Sequence, residues 1–127
     1  MTFYLGSQSQ ARLEGVHPDL VKVVKRAITA TTIDFAVLEG MRTEDSQRKL
    51  FQAGATQTMN SRHLTGHAVD LAVWMDGIRW DWPMYYQLAN SIKMAAMEEG
   101  ITIEWGGDWT TFKDGPHWQL PWKTYPE

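Results

Sequence analysis

The segment HAVDLAVWMDGIRWDW, which begins at His67, constrains the fold of this chain more than any other. Its apolar side chains alternate with a period of two residues, at Val69, Leu71 and Val73. That period is typical of a β-strand with one buried face. Asp76 and Gly77 are residues that tight hairpin turns prefer, and residues 78–80 can form the returning strand. The segment therefore predicts an antiparallel hairpin around which a sheet is built.

Three helices are predicted from apolar residues at helical spacing and from capping residues. The first begins at Pro18. Its apolar residues share one face: Leu20, Val23, Val24, Ala27 and Ile28. The second runs from an N-cap at Thr43 to a stop at Gly54, and the third opens after Pro83, from 84 to about 99, and ends at Gly100.

Short runs rich in β-formers predict the remaining strands. These runs are DFAVLEG, ending near Gly40, then ITIEW and PHWQL. Residues 55–62 and the run GGDWTTFKDG have neither period, which predicts loops. The order of elements predicts an α+β fold, with a mainly antiparallel sheet covered largely on one face by helices. At 127 residues we expect a single domain, 1–127.

Composition excludes several classes of protein. There is no cysteine, so a transition metal has to be held by histidines and carboxylates. A net charge of -3 without a basic patch argues against nucleic acid as a partner. No stretch approaches the roughly 18 apolar residues of a membrane helix, and the first residues do not resemble a secretory signal peptide. We therefore expect no membrane insertion, and synthesis in the cytoplasm.

The densest group of polar residues is SRHLTGHAVD, followed far downstream by DGPH. His63 and His67 have the spacing of a helical metalloprotease motif, but HLTGH lacks its glutamate and contains glycine. The better interpretation is a loop that carries His63, a strand that carries Asp70 and a distant strand that carries His117. Together they supply the two histidines and one carboxylate of a hydrolytic zinc site. The alternative is that these residues cap turns or pack in a core.

A metal hydrolase also needs a general base beside the reacting water. Asp114, three residues before His117, is our first choice, and Glu104 and Asp108 are alternatives. The other polar residues of the region have structural interpretations: His17 enters a helix, His67 packs or lies at the surface, and Ser61 holds its loop.

Four runs together resemble the zinc peptidases that include D-alanyl-D-alanine carboxypeptidases and the L-alanyl-D-glutamate endopeptidases of bacteriophage endolysins. They are GVHPDLVKVVKRAI, EGMRTEDSQRKLF, SRHLTGHAVDLAVW and EWGGDWTTFKDGPHWQL, and they cover most of the chain. The resemblance implies the fold shared by these peptidases and Hedgehog proteins. It also implies that His63, Asp70 and His117 bind Zn²⁺, that Asp114 is the catalytic base and that Arg42 faces the substrate. The alternative for Arg42 is a structural ion pair with a helix carboxylate.

The resemblance favours the endopeptidase branch, because the glutamate that precedes a Trp-His pair in the carboxypeptidases is missing before His117. It implies a monomeric endolysin that cuts the peptidoglycan stem peptide between L-alanine and D-glutamate. Without a signal peptide, it would reach the wall through a separate holin-like protein. A D-alanyl-D-alanine carboxypeptidase of wall remodelling and a non-catalytic wall-binding module remain the alternatives.

Overall fold

A computed structural model of the chain describes residues 2–55 and 61–126. In these residues the strands are β1 (Phe35–Glu39), β2 (Ala68–Trp74), β3 (Ile78–Arg79), β4 (Glu104–Trp105) and β5 (His117–Gln119). The helices are α1 (Ser7–Arg12), α2 (Pro18–Ala30), α3 (Glu44–Gln52) and α4 (Trp82–Glu99). Two 3₁₀ turns, Arg62–Thr65 and Gly106–Asp108, lie between them. No helix in the described ranges is long and apolar enough to cross a membrane.

The predicted hairpin strand β2 lies at the centre of the sheet. The order is β1-β2-β5-β4, with β3 also paired to β2, and every pairing is antiparallel. Alternate residues of β2 therefore point to opposite faces. Val69, Leu71 and Val73 belong to the hydrophobic core. Asp70 lies between them in sequence and consequently points to the other face.

Helices α2 and α4 pack on the core face of the sheet and on each other. The start of α2 follows the sequence: His17 is its N-cap, and the ring Nδ1 accepts a hydrogen bond of 3.1 Å from the backbone N–H of Asp19. All five residues of the predicted apolar face of α2 are buried. The predicted fold, an antiparallel sheet with helices largely on one face, is confirmed.

Helix α1 is absent from our sequence prediction, because SQSQAR has no apolar face. It covers the open edge of β1. Ser9 Oγ accepts a hydrogen bond of 2.9 Å from the backbone N–H of Val37, and Arg12 Nη1 donates one of 2.9 Å to the Val37 carbonyl. The helix also approaches Gly40 so closely that a Cβ there would lie 2.0 Å from the Arg12 carbonyl oxygen. This close approach therefore requires glycine at position 40.

Several element bounds differ from the predictions. In ITIEW only Glu104–Trp105 is paired, because the backbone N–H of Ile101 closes α4 by bonding to Ala96 (2.9 Å). The returning hairpin strand is Ile78–Arg79, and α4 begins at Trp82. Of the loop predicted for 55–62, residues 56–60 lie outside the described residues, and the last residue opens a 3₁₀ turn.

Candidate metal centre

Three polar side chains converge on the face of the sheet opposite the helices. His63, Asp70 and His117 present ligand atoms that all lie within 4.8 Å of one another. Oδ1 of Asp70 is 3.3 Å from Nε2 of His63 and 3.2 Å from Nδ1 of His117. The structure therefore brings together the three residues that the sequence suggested as metal ligands.

Sheet register accounts for two members of this trio. Asp70 and His117 are paired across β2 and β5, so their side chains leave the sheet side by side. His63 arrives from the 3₁₀ turn just before β2. Ser61 is the N-cap of that turn, and its Oγ accepts a hydrogen bond of 3.2 Å from the backbone N–H of His63. The predicted loop-holding role of Ser61 is what the structure shows.

The ring of His63 fits a metal ligand. Its Nδ1 lies 2.8 Å from the carbonyl oxygen of Gly40, which can only accept, so in the neutral ring Nδ1 carries the proton and Nε2 has the lone pair. The side chain is only 3% exposed, and its Nε2 faces Asp70 Oδ1 at 3.3 Å but makes no hydrogen bond to any described residue. A buried nitrogen without a partner is costly. Two nitrogens and one oxygen around this position are a donor set that suits Zn²⁺.

The ring of His117 is held on its far side by Gln119, a residue that our sequence reasoning did not single out. Its Nε2 lies 2.7 Å from Oε1 of Gln119. Gln119 in turn donates a hydrogen bond of 3.1 Å from Nε2 to Oε2 of Glu104. Residues 117 and 119 of a strand point to the same face, so the alternation of PHWQL is the signal that could have identified Gln119.

Charges in the trio are mutually stabilising. Burial disfavours the ionised form of Asp70, but its close contacts with His117 and His63 outweigh burial and hold the pKa of Asp70 well below its usual range. Burial likewise opposes protonation of His117, yet Asp70 outweighs it and raises the pKa of His117 above 6.5. The two side chains therefore form an ion pair in the metal-free protein.

Asp114 lies beside this group without belonging to it. Its carbonyl accepts a hydrogen bond of 3.2 Å from the backbone N–H of His117, and its own N–H bonds to the Gly106 carbonyl (3.1 Å). A Cβ at Gly106 would lie 2.4 Å from the Asp114 carbonyl oxygen, so the close approach requires glycine. Burial, then the charge of Asp70, raises the pKa of the half-buried Asp114, partly offset by His117, His63 and Arg42.

Arg42 lies at the same end of the site. Its backbone N–H donates a hydrogen bond of 2.8 Å to the His63 carbonyl. Its Nε bonds to Glu39, and Nη1 donates to Oε1 of the fully buried Gln47 (2.6 Å). Glu39 lies opposite Asp70 because β1 has a bulge there. Arg42 thus forms a structural ion pair, although its partner is a carboxylate of strand β1 and not the helix carboxylate of the alternative interpretation, and it also lines a groove of about 490 Å³.

The other sequence candidates have different partners. Glu104 accepts hydrogen bonds from Gln119 and from the indole N–H of Trp109 (3.3 Å). Asp108 is exposed and pairs with Lys93 at 2.7 Å. His67 lies outside the ligand trio, 2.7 Å from the hydroxyl of Thr65, with its ring beside that of His17. The structural interpretations of His17 and His67 agree with these positions.

Comparisons with known proteins identify relatives over almost the whole chain. The family described as phage L-alanyl-D-glutamate peptidase matches residues 1–119. The L-alanyl-D-glutamate peptidase of Listeria phage A118 is 33% identical over 98% of this chain and 45% of its own length. The L-alanyl-D-glutamate peptidase of Escherichia phage T5 is 31% identical over 90% of this chain and 87% of its own length. The chain thus spans less than half of the first relative and most of the second.

A solved structure agrees with these sequence matches. The crystal structure of the Serratia marcescens L-Ala D-Glu endopeptidase ChiX has a TM-score of 0.91 and 46% sequence identity to this chain. The match covers 98% of this chain and 95% of that one. The family predicted from the four sequence runs is confirmed, together with its fold. The chain belongs to the phage L-alanyl-D-glutamate peptidase family.

Proposed function

We propose that this chain is a zinc peptidase that cleaves the bond between L-alanine and D-glutamate in the peptidoglycan stem peptide, as a phage-type endolysin. The metal site is proposed because the buried Nε2 of His63 makes no hydrogen bond and lies beside the ligand atoms of Asp70 and His117. The choice of the L-alanyl-D-glutamate bond rests on the family match. The relatives named above are peptidases for the same linkage, which supports this substrate over a terminal D-alanine.

In this proposal His63, Asp70 and His117 hold the Zn²⁺, through Nε2, a carboxylate oxygen and Nδ1. When bound, zinc supplies a Lewis acid for the scissile carbonyl and for water. Asp114 is the general base: it takes a proton from the attacking water and passes it to the amine that leaves. Its half-buried position and raised pKa suit a group that first accepts and then returns a proton.

Arg42 is proposed to contact the substrate. Glu39 and Gln47 hold Nε and Nη1, which fixes the plane of the guanidinium and leaves Nη2 as its remaining edge. That edge suits an oxyanion or a substrate carboxylate. The groove that Arg42 lines also contains Lys49, and it contains Glu39, which Arg42 neutralises. The remaining positive charge is our reason for proposing an anionic group of the stem peptide in this position.

The alternatives of the carboxypeptidase and of the wall-binding module have less support. The side chains needed for hydrolysis are present together, which counts against a module without catalysis. Glu104 and Asp108 have other partners, which supports Asp114 as the base. We further propose that residues 1–127 act as one peptidase domain and as a monomer. In this proposal it is made in the host cytoplasm and reaches the wall through a separate holin-like protein.

The test is digestion of purified peptidoglycan followed by mass analysis of the fragments. Cleavage after L-alanine, with new amino termini on D-glutamate, is the expected result. Release of a single D-alanine would instead favour the carboxypeptidase, and binding without any cleavage would favour the wall-binding module.

A further inference from the structure

A short row of polar side chains lies behind the metal-facing side of His117. Gln119 is 6% exposed and is paired in register with Glu104 across β5 and β4. The distances along the row are 2.7 Å from His117 Nε2 to Gln119 Oε1, and 3.1 Å from Gln119 Nε2 to Glu104 Oε2. Each of these three residues thus contacts the next through one hydrogen bond.

The end of the row gives it a direction. An ionised carboxylate only accepts hydrogen bonds, so Glu104 requires the NH₂ side of the Gln119 amide to face it. The carbonyl side of Gln119 then faces His117, and Nε2 of His117 has to donate. The indole N–H of Trp109 donates to the same Glu104 oxygen at 3.3 Å, so this oxygen accepts two hydrogen bonds.

The direction of these hydrogen bonds matters because a second acceptor, Asp70, competes for the proton of the His117 ring. Asp70 Oδ1 is 3.2 Å from Nδ1 of His117. On its own this carboxylate would draw the single proton of a neutral ring to Nδ1, the nitrogen that faces the trio. A protonated Nδ1 has no lone pair for a metal. Oε1 of Gln119 accepts a hydrogen bond from Nε2 of His117 and so stabilises the proton on that nitrogen instead.

We propose that Gln119, oriented by Glu104, is a positioning residue that keeps the proton of neutral His117 on Nε2 and leaves Nδ1 available to the metal. The inference rests on the proposed function, since it takes His117 to be a ligand. His63 has the equivalent support from the backbone carbonyl of Gly40, which no substitution of a side chain removes. The control of the His117 ring depends instead on two side chains. Partners of this kind typically change metal affinity by about 10- to 100-fold.

Two variants separate hydrogen-bond direction from packing. Gln119→Leu keeps an apolar side chain of similar length but removes the acceptor for Nε2. The exchange Gln119→Glu with Glu104→Gln keeps an acceptor against His117 and keeps a hydrogen bond between positions 104 and 119. The readouts are the ring ¹⁵N shifts of His117 in metal-free protein at alkaline pH, and the zinc affinity measured by competition with a chromogenic chelator. Thermal melting checks that both variants fold.

In the wild type we expect the shifts of a ring protonated at Nε2. In Gln119→Leu we expect the proton on Nδ1 and a zinc affinity lower by about 10- to 100-fold. The exchanged variant should keep the wild-type ring signature and remain within a few-fold of wild-type affinity. A wild-type signature and affinity in Gln119→Leu would overturn the proposal. An equal loss of zinc affinity and of the wild-type ring signature in both variants would overturn the proposal as well, and would assign Gln119 a packing role.

Failure of the proposed function gives a different pattern. The ring signature is read without metal and without substrate, so it reports on Gln119 whether or not the protein cleaves peptidoglycan. A folded wild type that shows the predicted signature but neither binds zinc nor releases amino termini would contradict the proposed function alone.

Discussion

Asp70 and His117 face each other across β2 and β5, with Oδ1 of one 3.2 Å from Nδ1 of the other. In the metal-free protein this contact is an ion pair located where the sequence and the geometry both indicate a metal. A proton on Nδ1 and a metal ion therefore compete for one nitrogen. The same residues consequently link stability, pH and metal binding.

The first prediction concerns the stability of the metal-free protein. The raised pKa of His117 contributes stability below 6.5 that is lost as pH rises through its folded value. The lowered pKa of Asp70 contributes stability above 3.8 that is lost as pH falls through its folded value. The pair therefore stabilises the fold most between these two values. The melting temperature without metal should fall from weakly acidic to alkaline pH.

Asp70→Asn is the matched control for this prediction, because it keeps the shape of the side chain and removes the charge. Its melting temperature should depend less on pH over the same range. A metal-free wild type that becomes more stable from pH 6 to pH 9, by an amount that Asp70→Asn does not change, would contradict the assignment of the ion pair.

The second prediction concerns Asp114. Asp114→Asn keeps the size of the side chain but cannot take a proton, so turnover should fall by about 10²- to 10⁴-fold. Zinc content and melting temperature should stay close to the wild type, because the ligand trio does not include Asp114. Asp108→Asn is the control, since that exposed residue pairs with Lys93. Wild-type turnover of Asp114→Asn would move the base elsewhere, with Glu104 or Asp108 as the candidates.

The third prediction concerns Gly106, which allows the Asp114 loop to approach the site. A Cβ there would lie 2.4 Å from the Asp114 carbonyl oxygen and 3.1 Å from the Cβ of His117. Gly106→Ala should therefore destabilise the protein by about 1 to 3 kcal/mol and lower both zinc affinity and turnover. Gly6→Ala, where a Cβ meets nothing within 4 Å, is the control. Equal effects of the two substitutions on zinc affinity would argue against a tight contact at Gly106.

The fourth prediction concerns the guanidinium of Arg42. Arg42→Lys keeps the charge but loses the planar fork, and kcat/KM should fall by about 10²-fold or more if Arg42 stabilises the transition state. A fall in kcat would indicate contact with the oxyanion, and a rise in KM would indicate contact with a substrate carboxylate. The exposed Arg48, which pairs with Glu44 and Asp45, provides the control Arg48→Lys. Unchanged kinetics of Arg42→Lys would leave only the structural ion pair with Glu39.

The sequence predicted the features that depend on local periodicity. The alternation of Val69, Leu71 and Val73 correctly identified β2, and it placed Asp70 on the face opposite the core. Pro18 marked the start of α2, after His17 at the helix entry, and Thr43 marked the N-cap of α3. Both signals are local, because the side chains of His17 and Thr43 bond to backbone groups only two or three residues away.

Features that depend on distant contacts were not predictable in the same way. Helix α1 has no apolar face and is stabilised by two hydrogen bonds with Val37 of β1, some 25 residues away: Ser9 accepts one and Arg12 donates the other. The support of His63 by Gly40 depends on a backbone carbonyl, which has no sequence signature. Gln119 was predictable in part. The alternation of the strand indicates which face of the sheet it lies on, but its partner Glu104 is determined by strand pairing.

The most direct test of the central claim is a comparison of peptidoglycan digestion by the protein as purified, after removal of metal, and after zinc is restored. Fragments should carry new amino termini on D-glutamate in the first and third samples and not in the second. A triple variant lacking His63, Asp70 and His117 should bind no zinc and stay inactive after zinc is added. Full cleavage by metal-free protein, or zinc-restored cleavage by the triple variant, would contradict the account.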